Sequence, residues 1–228
     1  GFPLLWFGLY SEPRILKTSE VLRDLGGLVE LNWQATVEPT SYNTAIEKIK
    51  DYIAQGKTYQ VNYTMRLNSN FNSGEWNFFL NLARAQNKYA AYIDTGRYAI
   101  CSASPELFFK LDGGRIFSHP MKGTVKRGCT TAEDARQAQW LHNWIKNRAE
   151  NVMIVDMVRN DLGRIAEIGS VQVSELFKVE KYPTLFQMTS LVQAKTIVPL
   201  DEIFSALFPS ASITGAPKVS TMNIIAEL

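Results

Sequence analysis

A glycine pair between two short apolar stretches constrains the fold of this chain more than any other local feature. Asp112-Gly113-Gly114 separates residues 107–111 from residues 115–118. A two-residue turn of this kind needs positive φ angles, which glycine adopts readily, so we predict a β-hairpin. Strand-like stretches at residues 89–94 and 98–102 come just before it. The middle of the chain is therefore predicted to form consecutive, mainly antiparallel strands.

Helical patterns lie on both sides of these strands. Apolar residues recur at helical spacing after Ser41 or Asn43, either of which could cap a helix that ends at Gly56. A long helix is predicted from Thr131 to near Gly163. Elsewhere we predict helices around residues 78–82, 200–207 and 220–228, and strands around residues 59–67 and 170–179. The mixture indicates an α+β fold, with mainly antiparallel sheets flanked by helices.

The first 40 residues differ from the rest. Residues 2–10 and 28–37 have strand-like character, but the sharp periodicity begins only at Ser41. We predict that residues 1–40 are the remnant of an amino-terminal region packed on the core, and that residues 41–228 form a catalytic domain. The chain starts without a methionine and stops inside a helical pattern. Both ends are therefore expected to be cut, with the carboxyl-terminal part of the domain missing.

Composition argues against several classes of function. The net charge of +2 gives no electrostatic basis for binding nucleic acid. No apolar run approaches the roughly 20 residues of a membrane-spanning helix. Two cysteines and two histidines favour neither a disulfide framework nor a histidine-rich zinc site, so we expect a cytoplasmic protein. A metal would have to be held by carboxylates, which suits magnesium.

Lys122 is the candidate nucleophile, placed between apolar Met121 and Gly123. Two interpretations are open: Lys122 is either a solvated lysine in a turn or a reactive group. An ordinary lysine has a pKa of about 10.4, so a nucleophilic one must be strongly held by burial or by nearby cations. Lys126 and Arg127 are the nearest cations in sequence. Glu106 precedes the predicted hairpin, which could bring it beside Lys122 as a general acid or as a surface salt-bridge partner.

Two further segments carry candidate groups. Glu150 lies on the long predicted helix among Val152, Met153 and Ile154. A charged residue among apolar ones on a helix indicates burial, and a buried carboxylate needs a partner or a metal. The alternative is that Glu150 lies on a solvated face of the helix. The run Ser212-Ile-Thr-Gly-Ala-Pro-Lys218 places small residues before a helix, where backbone N–H groups could cradle an anion.

Five segments together resemble the chorismate-utilising enzymes. They are Gln60-Val-Asn-Tyr, Ser104-Pro-Glu, Pro120-Met-Lys-Gly-Thr, Arg148-Ala-Glu-Asn-Val-Met-Ile-Val-Asp-Met-Val-Arg-Asn-Asp-Leu-Gly-Arg164 and Ser212-Ile-Thr-Gly-Ala-Pro-Lys218. The resemblance covers about residues 41–228. It implies a chorismate-binding, anthranilate-synthase-like fold, truncated at both ends, and makes residues 41–228 a chorismate-binding catalytic domain.

Two positions distinguish branches of this family. Members that activate water have a lysine where this chain has Gln60, so Gln60 resembles the ammonia-using branch. Members that form anthranilate have alanine where this chain has Lys122. They also carry a histidine in the segment that matches Phe186-Gln187-Met188, so we expect no histidine-dependent proton transfer in this chain. The resemblance thus implies formation of 4-amino-4-deoxychorismate, for para-aminobenzoate and folate biosynthesis. The alternatives are an anthranilate-forming subunit and a non-catalytic chorismate-binding fragment.

The resemblance also assigns roles. Lys122 would attack C2 of chorismate as a neutral amine, and Glu106 would protonate the departing C4 hydroxyl. Glu150 would be a ligand of Mg²⁺, while an arginine and further glutamates of the site would lie beyond Leu228. Ammonia would come from a glutamine amidotransferase subunit. The residues expected to bind substrate are Gln60, Thr124, Thr214, Gly215, Ala216 and Lys218.

Overall fold

The computed structural model describes residues 8–21, 26–85 and 88–228. The chain divides into a smaller unit, residues 1–34 with 67–105, and a larger unit, residues 35–66 with 106–228. Within the described residues, no helix is long and apolar enough to cross a membrane.

In chain order the elements are α1 (Thr18–Val21), β1 (Gln34–Ala35), α2 (Pro39–Ala54), β2 (Gln60–Val61), β3 (Leu67–Asn68), α3 (Glu75–Ala85), β4 (Tyr89–Asp94), β5 (Ala99–Ser104), β6 (Leu107–Asp112), β7 (Arg115–His119), β8 (Met121–Lys126), α4 (Thr131–Asn143), α5 (Ile145–Gly163), β9 (Gln172–Lys181), β10 (Leu185–Lys195), α6 (Leu200–Leu207), α7 (Ala211–Thr214), β11 (Gly215–Ala216) and α8 (Lys218–Glu227).

The smaller unit is built on a hairpin of β4 and β5. The two strands are antiparallel, with Tyr89 opposite Ser104 at one end. Helix α3 packs beside them through Leu80, which is fully buried, and through Trp76, whose ring lies 5.1 Å from that of Tyr92. The helix and both strands confirm the predictions for this part of the chain.

A five-stranded antiparallel sheet frames the larger unit, and β10 is its central strand. Strand β9 pairs with β10 on one side. On the other side β10 pairs first with β8 and then with β7, and β6 completes the sheet beyond β7. The β6–β7 turn is the predicted one, because Asp112 lies opposite Arg115 and the two glycines between them have φ angles of +55° and +77°.

No strand was predicted where the structure has β10. Its centre carries Thr189 and Ser190, both fully buried, so polar residues interrupt the apolar pattern that would have marked a core strand. Hydrogen bonds make their burial possible. The Ser190 hydroxyl donates to Asn151 Oδ1 on α5 at 2.6 Å, and its Oγ accepts from the N–H of Phe177 on β9 at 3.2 Å.

The predicted single helix from Thr131 to Gly163 is wrong in one respect. It is two helices, which meet at Trp144, whose φ of −68° and ψ of 115° are extended rather than helical. Thr130 caps α4 by accepting a hydrogen bond from the N–H of Glu133 at 3.2 Å. After the break, α5 lays Ile154, Val155, Val158 and Leu162 against the sheet residues Ile116, Val192 and Ala194 to form the main core.

Several predicted boundaries moved. Helix α2 begins at Pro39 without a side-chain cap, so neither Ser41 nor Asn43 is its cap. Proline suits the first turn of a helix because backbone N–H groups have no helical acceptor there, so the N–H that proline lacks is not needed. The strand predicted at residues 59–67 is reduced to β2 and the start of β3, and that at 28–37 to β1. Residues 1–7 lie outside the described residues. The domain boundary near residue 40 stays a prediction.

The α5 core contact can be tested with a pair of leucines. Leu162 is fully buried against the sheet, whereas Leu200 at the start of α6 is 54% exposed. We expect Leu162→Ala to lower the free energy of unfolding by about 2–5 kcal/mol, because it removes buried methyl groups and leaves a cavity. Leu200→Ala should change it by less than about 0.5 kcal/mol. Urea denaturation measures both, and equal losses would contradict this placement of α5.

Candidate active site

Lys122 lies near the start of β8, next to an irregular step in the strand. Thr124 pairs with Gln187 and Met121 with Thr189, so the register between β8 and β10 shifts at Lys122 and Gly123. Gly123 has a φ of +93°, and a side chain there would meet Leu141 and Asn147 of α4 and α5 at 3.0–3.3 Å. The position of Lys122 is therefore given by its contacts and not by strand alternation.

The β6–β7 hairpin brings Glu106 to the same place. Leu107 lies opposite His119, so Glu106 meets the chain where it passes from β7 through Pro120 to β8. The N–H of Ser190 on β10 donates to the Pro120 oxygen at 3.0 Å and holds this junction against the central strand. The pairing with β10, as well as the hairpin itself, sets the separation of Glu106 and Lys122.

Glu106 and Lys122 both contact Ser212. The ammonium group of Lys122 donates to the Ser212 backbone oxygen at 3.4 Å. Burial raises the pKa of the Glu106 carboxyl above its ordinary value, while a side-chain hydrogen bond from Ser212, the charge of Lys122 and a backbone hydrogen bond from Met121 act in the opposite direction. Because burial dominates, Glu106 keeps its proton to a higher pH than an exposed glutamate, which suits a general acid.

Gln60 enters the same cluster through Asn62. Gln60 Nε2 donates to Asn62 Oδ1 at 3.0 Å, and Asn62 Nδ2 donates to the Ser212 backbone oxygen at 2.7 Å. Gln60 Oε1 is buried, and no described residue donates a hydrogen bond to it. An unpaired buried acceptor is costly. The arrangement therefore offers an acceptor to a ligand that carries N–H or O–H groups.

The segment Thr214–Ala216 is held by β2. Gly215 pairs with Val61 and Ala216 with Gln60. Gly215 has a φ of +141°, and a Cβ there would overlap the backbone oxygen of Gln60, so only glycine fits. Its N–H already donates to the oxygen of Ala211. The N–H of Gly215 is therefore not available to the anion site that the sequence predicted for this segment.

Thr214 and Thr124 also have protein partners. Thr214 is buried, and its hydroxyl donates to the Ser210 oxygen at 3.1 Å. Thr124 is exposed and donates to Gln187 Oε1 at 2.7 Å, directly across the β8–β10 pairing. Arg127, expected to add positive charge near Lys122, instead forms an ion pair with Asp134. That pairing neutralises much of its charge.

Lys218 is occupied by the protein. Its Nζ donates to Asp161 Oδ2 at 2.8 Å and to the oxygens of Ala206 and Leu207 at 3.2 and 3.4 Å. The side chains of Lys218 and Asp161 are only 13% and 7% exposed. Three acceptors use the three protons of the ammonium group. Lys218 therefore joins α5, α6 and α8 and leaves no free proton for a substrate. Asp161 lies in the Arg-Asn-Asp run of the α5 motif, and its burial beside Lys218 fits the expectation that a buried carboxylate on this helix has a partner.

Glu150 lies on α5 and pairs with a residue of its own helix. Its carboxylate is 39% exposed and 3.9 Å from Lys146 Nζ, one helical turn earlier. Among the described residues, no group of three or more histidine, cysteine, aspartate or glutamate side chains could hold a metal ion. Magnesium prefers octahedral coordination by oxygen. The described residues around Glu150 therefore do not form a magnesium site by themselves.

The fold and these residues define a family. The chain belongs to the chorismate binding enzymes, whose family model matches residues 19–228. It is 43% identical over 199 residues to aminodeoxychorismate synthase component 1 of Klebsiella aerogenes, covering 86% of this chain and 44% of that protein. It is 36% identical over 200 residues to anthranilate synthase component 1 of Aquifex aeolicus, covering 86% and 40%.

A solved structure shows the same fold. Anthranilate synthase component I from Streptococcus pneumoniae matches with a TM-score of 0.81 and 29% identity, over 94% of this chain and 47% of that one. The predicted fold class and the resemblance to the chorismate-utilising enzymes are confirmed, and four relatives at 40–43% identity are aminodeoxychorismate synthase component 1 proteins. The chain spans less than half the length of these relatives.

The buried Lys218–Asp161 pair can be tested by a double-mutant cycle. Lys218→Met leaves the Asp161 carboxylate buried without its partner, and we expect it to lower the free energy of unfolding by about 3 kcal/mol. Lys218→Met combined with Asp161→Leu should recover much of that loss, because an apolar pair often replaces a buried ion pair at little cost. Lys48→Met, at a side chain 40% exposed, is the control and should have little effect. Urea denaturation is the measurement, and additive losses would contradict the pairing.

Proposed function

We propose that the protein containing this chain converts chorismate and ammonia to 4-amino-4-deoxychorismate, in para-aminobenzoate and folate biosynthesis. The observation that carries the proposal is the convergence of Lys122 and Glu106 on Ser212. It occurs in a chain whose relatives include aminodeoxychorismate synthase component 1, at 43% identity. A nucleophile beside an acid whose pKa is raised by burial suits displacement of a hydroxyl group.

The proposed reaction has two displacements. The Lys122 amine bonds to C2 of the ring, the ring double bonds shift, and the C4–O bond breaks as Glu106 gives its proton to the leaving hydroxyl, which departs as water. Ammonia then bonds to C4, the double bonds shift back, and the C2–N bond breaks to release Lys122. The enolpyruvyl group is retained. A covalent intermediate divides one difficult substitution into two easier ones.

Gln60 supports the use of ammonia as the second nucleophile. Its buried Oε1 can accept a hydrogen bond from a donor, and ammonia is one. We further propose that a glutamine amidotransferase subunit supplies the ammonia, in keeping with relatives that are named as component 1. Mg²⁺ bound in part by Glu150, and location in the cytoplasm, remain predictions. When bound, magnesium would neutralise the ring carboxylate of the substrate.

Anthranilate formation is the second candidate. It is favoured by the 36% identity to the Aquifex aeolicus anthranilate synthase component 1 and by the solved structure with a TM-score of 0.81. Anthranilate formation requires loss of the enolpyruvyl group as pyruvate, so the two reactions differ in a product that is easily measured. A third candidate, chorismate binding without turnover, predicts neither product.

Product analysis on the full-length protein tests the role of Lys122. With chorismate, magnesium and ammonium, we expect 4-amino-4-deoxychorismate and no pyruvate. Lys122→Ala should abolish product formation because it removes the proposed nucleophile. Lys110→Ala, at an exposed lysine paired with Asp112, should keep full activity. Anthranilate together with pyruvate would overturn the proposed product, and full activity in Lys122→Ala would overturn the covalent step.

The pH dependence of kcat/KM tests Glu106. A general acid works in its protonated form, so the rate should fall as the pH rises through the pKa of Glu106, which burial raises. Glu106→Gln should lower the rate by about 10²–10⁴-fold and remove this limb of the profile. Glu175→Gln, which removes a carboxylate paired with Lys178 on β9, should leave the limb in place. The same limb in Glu106→Gln would assign the proton to another group.

A further inference from the structure

A polar pocket lies at the far end of the sheet from Lys122. It has a volume of about 320 Å³ and is lined by the ends of β7, β9 and β10 and by the turn at residues 167–170. This volume is near the lower end of the range for small-ligand sites. Eight residues of β10 separate Gln187, opposite Thr124, from Lys195 in this pocket, which is roughly 25 Å along a strand. The pocket is thus separate from the candidate active site.

Two cations face each other at its edge. Arg115 on β7 and Lys195 on β10 are register partners in the antiparallel pairing. Their neighbours Ile116 and Ala194 are buried in the core, so the two cations point to the opposite face. Like charges placed directly across two strands repel each other. Within the part of the chain that the structure describes, neither Arg115 nor Lys195 forms an ion pair within 4 Å, and Asp112, which lies opposite Arg115 on β6, pairs with Lys110 instead.

Backbone contacts hold the wall of the pocket in place. The N–H of Ser170 donates to the oxygen of Glu167 at 3.0 Å, closing the turn. The Ser170 hydroxyl donates to the same Glu167 oxygen at 2.7 Å and accepts from the N–H of Lys195 at 3.1 Å. The turn is thereby fixed against β10.

The remaining lining groups set the chemistry of a ligand. Gln172 and Gln193 are also register partners, and each brings a carboxamide that can donate hydrogen bonds. Glu167 is the one carboxylate of the lining against two cations, so the charge of the lining is positive. Arginine binds phosphate oxygens through two parallel hydrogen bonds, and lysine adds a point charge.

We propose that this strand-end pocket binds a small phosphate-type oxyanion between Arg115 and Lys195. The anion removes the repulsion between the two cations and accepts hydrogen bonds from the flanking carboxamides. A phosphate dianion matches two cations better than a monocarboxylate does. Glu167 accepts a hydrogen bond from a protonated phosphate oxygen or from a hydroxyl group of the molecule that carries the phosphate.

Titration of the full-length protein with inorganic phosphate tests the proposal. Isothermal calorimetry is run at constant ionic strength, with chloride as the compensating anion and acetate in a parallel series. We expect saturable phosphate binding at a dissociation constant of about 1 mM and weaker binding of acetate. Arg115→Gln and Lys195→Gln should each weaken phosphate binding by about tenfold or more, because each removes a charge-assisted hydrogen bond. Lys110→Gln makes the same change of net charge outside the pocket and should leave binding unchanged.

Three results would overturn the proposal. These are the lack of saturable binding up to about 20 mM phosphate, equal weakening in all three variants, and equal affinity for acetate and phosphate. The exposed positions of Arg115 and Lys195 should preserve the fold. If one of the two variants is nevertheless unstable, the other, compared with Lys110→Gln, decides the question. None of these measurements requires turnover of chorismate, so their outcome is independent of the proposed function.

Discussion

The pairing of β10 with both β8 and β7 is the constraint on which the larger unit depends. The two strands follow one another along one side of β10, so the chain must pass between them at Pro120, where the Ser190 N–H holds its backbone oxygen. The same serine uses its hydroxyl to reach Asn151 on α5. One residue of the central strand thereby connects the helix that carries Glu150 to the segment that leads to Lys122.

Ser212 has a comparable place on the other side of the site. Its backbone oxygen accepts hydrogen bonds from both Lys122 and Asn62, and its hydroxyl contacts Glu106. The Ser212–Lys218 run is held at its other end by Lys218, which forms a buried ion pair with Asp161 on α5 and also donates to the Ala206 oxygen near the end of α6. Buried polar groups need partners. Among the described residues two buried side-chain atoms have no hydrogen-bond partner, Gln60 Oε1 and Asn151 Nδ2. Gln60 is the one joined to this cluster, through Asn62, and its oxygen can accept a hydrogen bond from a ligand.

Local signals predicted many of the elements correctly. The β6–β7 hairpin depends on two glycines at its turn, and α3 and α6 on apolar residues at helical spacing, all within one short window of sequence. Strand β10 and the break at Trp144 were missed for the opposite reason. Thr189 and Ser190 look like surface residues until partners distant in sequence satisfy their hydroxyls, and no proline or glycine marks the break.

The sequence by itself indicated the candidate chemistry: Lys122, Glu106 and the Ser212–Lys218 run stood out as reactive or glycine-containing motifs, and Gln60 through the resemblance to the chorismate-utilising enzymes. Only the tertiary structure decided which of these groups lie together and which partners they have. Lys218 and Asp161 are 57 residues apart and Lys122 and Ser212 are 90 apart, and contacts of that range arise from chain packing rather than from local preference. Burial raises the pKa of Glu106 and surrounds the ion pair of Lys218 and Asp161. It results from the packing of the whole unit and cannot be read from any one motif.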